Sequence, residues 1–192
     1  PVVVRAFVMG TNGALSAGMT APSAQALPPP DHNHSACIGD ALARADAVCA
    51  ARGARLTVLR RRVLELVWTS HKPRGAYAIL EDLSQEGGKP VAPLTVYRAL
   101  EFLVEHGLVH RLESLNAYVG CACPGDGHPG QFLVCERCGT AWEIDDPRIA
   151  GALHAAAADH GFHPLRPMVE VRGVCSRCRT AGADSASQET SP

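Results

Sequence analysis

The chain has 192 residues, 46% of them hydrophobic, and its 18 Lys and Arg stand against 19 Asp and Glu for a formal net charge of −1. That length holds two small domains, each marginal alone, plus tails. Near-neutrality excludes any argument for a partner from total charge, and no apolar run is long enough to span a bilayer, so no membrane partner is expected.

Residues 1–36 are rich in Ala, Pro and Ser without periodicity and read as a disordered tail. The apolar run Val2–Met9 is too short for a signal-peptide core and Arg5 interrupts it. The chain opens on Pro1, and Met19 begins a more ordinary stretch, so the working start is expected at Met19. Ile38, Leu42, Ala45 and Cys49 then recur at helical spacing, predicting a helix over 38–52 stopped by Gly53, with Cys49 as a buried core thiol. A second helix is predicted over 57–69, with Thr57 as N-cap, Leu59, Val63, Leu66 and Val67 on one face and Arg60, Arg61 and Arg62 opposite.

A third helix is expected over 76–85, ending at Gly87-Gly88, and a fourth from Pro93 to His106 before Gly107. In the fourth, Val96, Leu100, Leu103 and Val104 form the buried stripe and leave Thr95, Tyr97, Arg98 and Glu101 nearer the outer face. The pattern then alternates through Leu108–Leu112, turns around Ser114–Asn116 and resumes at Ala117–Val119, which reads as a β-hairpin. Helices followed by a hairpin make a winged helix, whose last helix enters the major groove. Residues 55–111 carry a small basic excess, open to two readings: phosphate contacts or an ordinary solvated surface. Arg98 is placed to reach a guanine edge or a phosphate.

Beyond the hairpin, residues 131–134, 140–144 and 168–174 read as strands. Residues 147–160 read as a helix capped by Asp145 or Asp146 and closed by Gly161, with Ile149, Leu153 and Ala156 facing the sheet. Residues 180–192 are small and polar and read as a second disordered tail.

Two Cys-x-x-Cys pairs, Cys135/Cys138 and Cys175/Cys178, supply four thiolates for one closed tetrahedral zinc, each sulfur about 2.3 Å from the ion. Gly139 suits the tight knuckle backbone, and the 36 residues between the pairs mean that the metal ties two ends of one domain together. Two unrelated pairs, as redox dithiols or disulfides, are the alternative. Cys37, Cys49, Cys121 and Cys123 lack disulfide-scaffold spacing, and a reducing cytoplasmic location is expected. No His-x-Glu triplet or Pro precedes Cys135 as a zinc deaminase requires, and two pairs bounding a domain do not suit a thiol oxidoreductase, so no enzyme is expected.

The run Pro93-Leu94-Thr95-Val96-Tyr97-Arg98-Ala99-Leu100 resembles the recognition-helix signature of the ferric uptake regulator (Fur) family. Arg55-Leu56-Thr57, Arg60–Leu64, the helix–hairpin order and both CxxC pairs agree with it, over roughly 38–179. The resemblance implies an α+β chain: an N-terminal winged helix-turn-helix DNA-binding domain (37–119), a hinge (120–130) and a small C-terminal α/β dimerisation domain with a four-cysteine zinc site (131–179). It further implies a homodimer that represses transcription when its regulatory metal is bound to it.

Iron-type members usually carry a His-His-x-His cluster just before the first CxxC, which is lacking here; Tyr118-Val119-Gly120-Cys121, His128 and the 107–116 run resemble the zinc uptake regulator subfamily instead. Carried over by position, the regulatory zinc site would be His110, Cys121, His128 and Glu143, with Cys123 as the alternate thiol. Two Zn2+ per protomer are implied, one structural and one regulatory. The implied partner is double-stranded DNA carrying a palindromic, AT-rich operator, contacted by Tyr97, Arg98, Thr95, Tyr77 and Arg60, and the implied targets are zinc-uptake genes. Tyr77 could equally be partial core. A family member sensing iron, manganese or peroxide is the alternative, and a zinc-dependent enzyme ranks below both. His32, His34 and Cys37 are open to two readings, an additional low-affinity metal site or plain surface residues; His160 and His163 read as ordinary.

Overall fold

Four helices and a hairpin build the N-terminal half of the described chain, which comprises residues 34–88, 90–124 and 130–186 of a computed structural model, with side chains described as far as residue 181. The expected start at Met19, most of the predicted N-terminal tail, His32, His128 and residues 187–192 lie outside the described residues.

Helix α1 (His34–Ala51) begins four residues before the predicted Ile38, so the end of the tail expected at residue 36 falls inside a helix. Its deepest stripe is Ala41, Ala45 and Cys49, with Ile38 and Leu42 at the margins, because small side chains let α1 approach its neighbours closely. Cys49 is the core thiol expected, and its burial raises its pKa. Helix α2 (Val58–Val67) starts at its Thr57 cap, whose hydroxyl accepts the Arg60 N–H at 3.4 Å. It stops two residues before the predicted end, where Thr69 Oγ1 donates to the Leu66 carbonyl at 2.8 Å. Helix α3 (Ala76–Gly87) and helix α4 (Pro93–Glu105) follow, α4 with Pro93 in its first turn. Leu64, Ile79, Leu100, Leu103 and Val63 form the centre of one core, fully buried, where the helical stripes meet.

Strands β1 (Val109–Leu112) and β2 (Ala117–Gly120) pair antiparallel around a short 3-10 turn, Glu113–Leu115, in register Leu112 to Ala117. The hairpin is fastened to the helices at Arg74, which exchanges backbone hydrogen bonds of 2.8 Å with Tyr118. Gly120 lies so close to the Trp68 indole that a Cβ there would stand 2.1 Å from Trp68 Cε2. No larger residue fits without displacing that ring.

The C-terminal half holds a three-stranded sheet in the order β4-β3-β5, with β3 (Gly130–Cys135) antiparallel to β4 (Ala141–Glu143) and parallel to β5 (Met168–Gly173). Helix α5 (Pro147–Asp159) makes the crossover from β4 to β5, and Asp146 is its cap, accepting the Arg148 N–H at 2.9 Å. The Arg148 guanidinium beside Asp146 holds that carboxyl down at about 2. Buried Gln131 fixes the turn into α5: its amide donates to the Asp146 carbonyl at 3.1 Å and accepts the Asp146 N–H at 3.2 Å.

The expected packing of α5 on the sheet does not occur. Ile149 is half-buried and Leu153 and Ala156 are exposed, because within one chain the helix does not close onto the strands and no α5 residue becomes buried. Helix α6 (Ser176–Ala186) also corrects the C-terminal tail expected from residue 180. The Thr180 hydroxyl donates back to the Arg177 carbonyl at 3.0 Å, continuing the turn that the second cysteine pair starts.

A second apolar cluster joins the two halves: Leu112 and Val119 from the hairpin pack with Phe132, Val134 and Ala141 of the sheet.

Candidate metal centres and nucleic-acid interface

The first CxxC sits where β3 ends. The Gly139 N–H donates to the Cys135 carbonyl at 2.8 Å and the Cys135 N–H to the Thr140 carbonyl at 2.9 Å, closing a knuckle that requires φ of +72° at Gly139. The second pair follows β5. Since β5 runs parallel to β3 with Gly173 opposite Cys135, it is delivered beside the first, and Glu136 N–H to the Gly173 carbonyl at 2.8 Å locks the approach. The sulfurs of Cys135, Cys138, Cys175 and Cys178 consequently lie within 4.8 Å of one another. This disposes of two unrelated pairs. The Cys175 N–H, 3.4 Å from Cys135 Sγ, and the Cys138 N–H favour the thiolate and lower Cys135 to about 6, whereas hydrogen bonding to its neighbour Cys175 raises Cys178. Four soft sulfurs, one already poised as thiolate, fit a tetrahedral zinc.

A second cluster lies between the hairpin and the sheet. His110 comes from β1, Cys121 from the residue after β2, and Glu143 from the end of β4, with donor atoms again within 4.8 Å. Hairpin register sets the first two: His110 pairs with Val119 near the end of the ladder that Val109 and Gly120 close, and Cys121 follows Gly120 there, its N–H donating to the Leu108 carbonyl at 3.1 Å. Strand β4 brings Glu143 opposite Phe132, and that ring meets the His110 imidazole edge-on with centroids 5.1 Å apart. Glu143 Oε1 is 2.8 Å from His110 Nε2 and 4.0 Å from Cys121 Sγ, and Oε2 accepts the Ala122 N–H at 2.7 Å. Burial, then the Glu143 charge, push the Cys121 thiol up to about 12.

One thiol, one imidazole and one carboxylate, converging with little solvent between them, fit a borderline cation and poorly suit a hard octahedral one. Between the two thiols the structure separates cleanly, since Cys121 is 2% exposed inside the cluster and Cys123 points out. His128, the fourth expected ligand, lies outside the described residues.

On the helical side, Thr95 and Arg98 are exposed on α4, and Tyr97 is half-buried. Thr57, Leu59, Arg60, Thr95, Arg98 and Ala99 line an open depression of about 180 Å³ between α2 and α4. Tyr77 is 72% exposed, so it belongs to the surface and not the core, and its ring meets Tyr97 edge-to-face at 6.5 Å. The three arginines of α2 diverge. Arg60 lays its guanidinium over Phe102 at 3.5 Å, Arg61 pairs with Asp46 of α1 at 2.5 Å, and Arg62 binds both Glu86 and Glu65. The arginines of α2 are therefore engaged in holding helices together, which neither reading of the basic excess anticipates.

Two residues that join the halves carried no signal in the sequence. Glu170 of β5 accepts the Glu113 N–H at 2.8 Å, the Ser114 N–H and the Ser114 hydroxyl, and the His71 carbonyl accepts the Ala141 N–H at 3.0 Å. Neither stands in a motif; only the folded chain brings them to their partners.

The helix order, the hairpin and the paired cysteine knuckle define a winged-helix protein with built metal-ligand clusters. The sequence model of the ferric uptake regulator family matches residues 51–172, and the chain belongs to that family. The zinc uptake regulation protein of Escherichia coli (strain K12) is 38% identical over 138 residues, which are 71% of this chain and 80% of that protein. A solved structure described as a zinc uptake regulator complexed with zinc and DNA superposes with a TM-score of 0.72 at 35% identity, covering 76% of this chain and 97% of that one. The crystal structure of holo XcZur superposes with a TM-score of 0.67 at 40% identity, covering 77% and 99%. Among the described residues no helix is long and apolar enough to cross a membrane.

Proposed function

We propose that this chain is a zinc-responsive transcriptional repressor that binds palindromic operator DNA as a zinc-loaded homodimer and represses zinc-uptake genes. The meeting of His110, Cys121 and Glu143, drawn from the hairpin and from β4, carries the reading. The names of the relatives support zinc as the sensed metal, and the solved relative described with zinc and DNA supports the partner. The donor set supports it independently, because a buried thiol excludes ions that demand only oxygen.

In this reading residues 37–119 read DNA, 120–130 are the hinge and 131–179 dimerise. Two zincs serve each protomer, one at Cys135, Cys138, Cys175 and Cys178 and one at His110, Cys121 and Glu143, with His128 as the fourth ligand by family resemblance. When bound, the second zinc would link the imidazole and thiolate of the hairpin to the carboxylate of the sheet. The residues around it are arranged to favour that closure: Leu112 and Val119 already pack on Phe132 and Val134, and Glu170 holds the 3-10 turn. A closed dimer would hold both α4 helices at half-site spacing, and metal shifts the population toward it. Apolar residues left exposed around α5 and β5, among them Leu153, Phe162, Leu165 and Val171, support a second copy as their cover. Arg98, Thr95 and Tyr97, with Tyr77 and Arg60 beside them, would contact DNA.

The test is a mobility-shift titration against AT-rich dyad DNA with free zinc buffered across a series, repeated with iron and manganese. Zinc-dependent binding that disappears in Cys121→Ser/Cys123→Ser is expected. Binding indifferent to chelators, or equally dependent on zinc in that variant, overturns the reading.

A further inference from the structure

We propose a third metal site, for a zinc-class divalent cation, formed by His34, Cys37 and His71. One ligand atom from each of these residues lies within 4.8 Å of the others, and all three side chains are half-buried. His34 and Cys37 stand one turn apart at the start of α1, on the same side of the helix, since residues three apart face together. His71 arrives from the turn between α2 and α3, and its ring centroid is 5.0 Å from that of His34, the planes tilted by 52°. Two imidazoles and a thiol are the donor set that borderline cations prefer.

The third ligand is held where it is by the fold, not by chance. Lys72 N–H donates to Ser70 Oγ at 3.2 Å, and Arg74 reaches both Thr69 Oγ1 at 3.2 Å and the Leu66 carbonyl at 3.3 Å. The His71 carbonyl accepts the Ala141 N–H. This turn is therefore pinned on both sides of His71, so the imidazole is presented at little further entropic cost. Cys37 packs against the helical core at the other side of the cluster.

Binding converts the Cys37 thiol to thiolate and releases one proton to solvent. Three protein ligands leave one tetrahedral position for water, so the ion exchanges more readily than one held by four cysteines. β4 begins at Ala141, which His71 grips, and ends at Glu143, so this site and the His110/Cys121/Glu143 cluster stand at the two ends of one strand.

The site is tested in the full chain carrying Cys121→Ser and Cys123→Ser, with zinc in the four-cysteine cluster, by titrating cobalt(II) and following metal content and the near-ultraviolet thiolate-to-cobalt band. One further cobalt per chain, with that band and without release of zinc, is expected. Both are lost on adding Cys37→Ser or, separately, His71→Ala, which lies on a turn outside the helical core and keeps the test valid should Cys37→Ser misfold. No uptake beyond the zinc already held, uptake matched by zinc released, or a band that survives both substitutions overturns the proposal. Zinc-dependent DNA binding is read separately in the chain with Cys121 intact, so failure of one conclusion leaves the other standing.

Discussion

Glu170 accepts a 2.8 Å hydrogen bond from the backbone N–H of Glu113, 57 residues earlier, and thereby holds the tip of the hairpin to the edge strand of the C-terminal sheet. An acidic side chain at the start of a 3-10 turn satisfies donors that the turn itself leaves open. Replacing Glu170 with Ala should lower stability by about 1 kcal/mol and speed amide exchange at Glu113 and Ser114, leaving the zinc content of the protein unchanged. Exchange at those two amides unaltered in Glu170→Ala would contradict the latch.

Cys121 and Cys123 should behave differently although one residue separates them. Cys121 is buried against Glu143, and Cys123 is exposed. Cys121→Ser should lose one zinc per protomer and zinc-dependent DNA binding, and Cys123→Ser should keep both. Metal analysis beside a mobility shift decides it; equal effects of the two substitutions would refute the ligand assignment.

The same thiol sets a pH dependence. With its pKa pushed up to about 12 by burial and by Glu143, Cys121 is protonated at neutral pH before metal arrives, and binding must expel that proton. Affinity at the second site should therefore rise with pH, by about tenfold per unit from this group alone. Zinc competition titrations between pH 7 and pH 8 measure the slope, and a flat response would mean that Cys121 is not the ligand.

Arg98 and Arg62 separate contact with DNA from support of the fold. Arg98 is exposed on α4, whereas Arg62 spans Glu65 and Glu86 and its guanidinium is held all the more firmly protonated by them. Arg98→Ala should weaken operator binding by about 1–3 kcal/mol with an unchanged melting temperature. Arg62→Ala should do the reverse, lowering the melting temperature and leaving the affinity of the folded protein nearly unaltered. Thermal melts and binding isotherms for both variants would expose a wrong assignment.

Gly120→Ala should be among the most damaging conservative changes, because its Cβ would fall 2.1 Å from the Trp68 ring. Displacing a buried indole costs about 1–3 kcal/mol or more, and here the shift would also move Cys121, the next residue. Denaturant unfolding measures the first effect and zinc content the second; wild-type stability would show that Trp68 yields freely.

Periodicity and spacing alone determined a good deal. The Thr57 cap, the hairpin and the glycine knuckle appear where the residues pointed, since a cap or a turn is encoded within one segment, and α2 and α4 bury most of their expected stripes, with Leu59 and Val104 only half-buried and Leu64, Ala99 and Phe102 buried besides. Helix ends were less legible. α1 reaches back to His34 and α6 runs on to Ala186, because the packing and cysteine geometry that sustain them are not local.

What only the tertiary structure decided is which distant groups meet. It set Cys121 beside Glu143 and left Cys123 exposed, drew Arg61 and Arg62 into ion pairs, buried no residue of α5 among the described residues, and set Glu170 on the hairpin and His71 beside His34. The arginine pairs and the approach of His71 to His34 depend on how α1, α2 and α3 pack, whereas the Glu170 latch and the meeting of Cys121 with Glu143 depend on the pairing of β3 with β4 and β5 and on the packing of the hairpin against the sheet. Such contacts join residues tens of positions apart, and no pattern within a single segment records them.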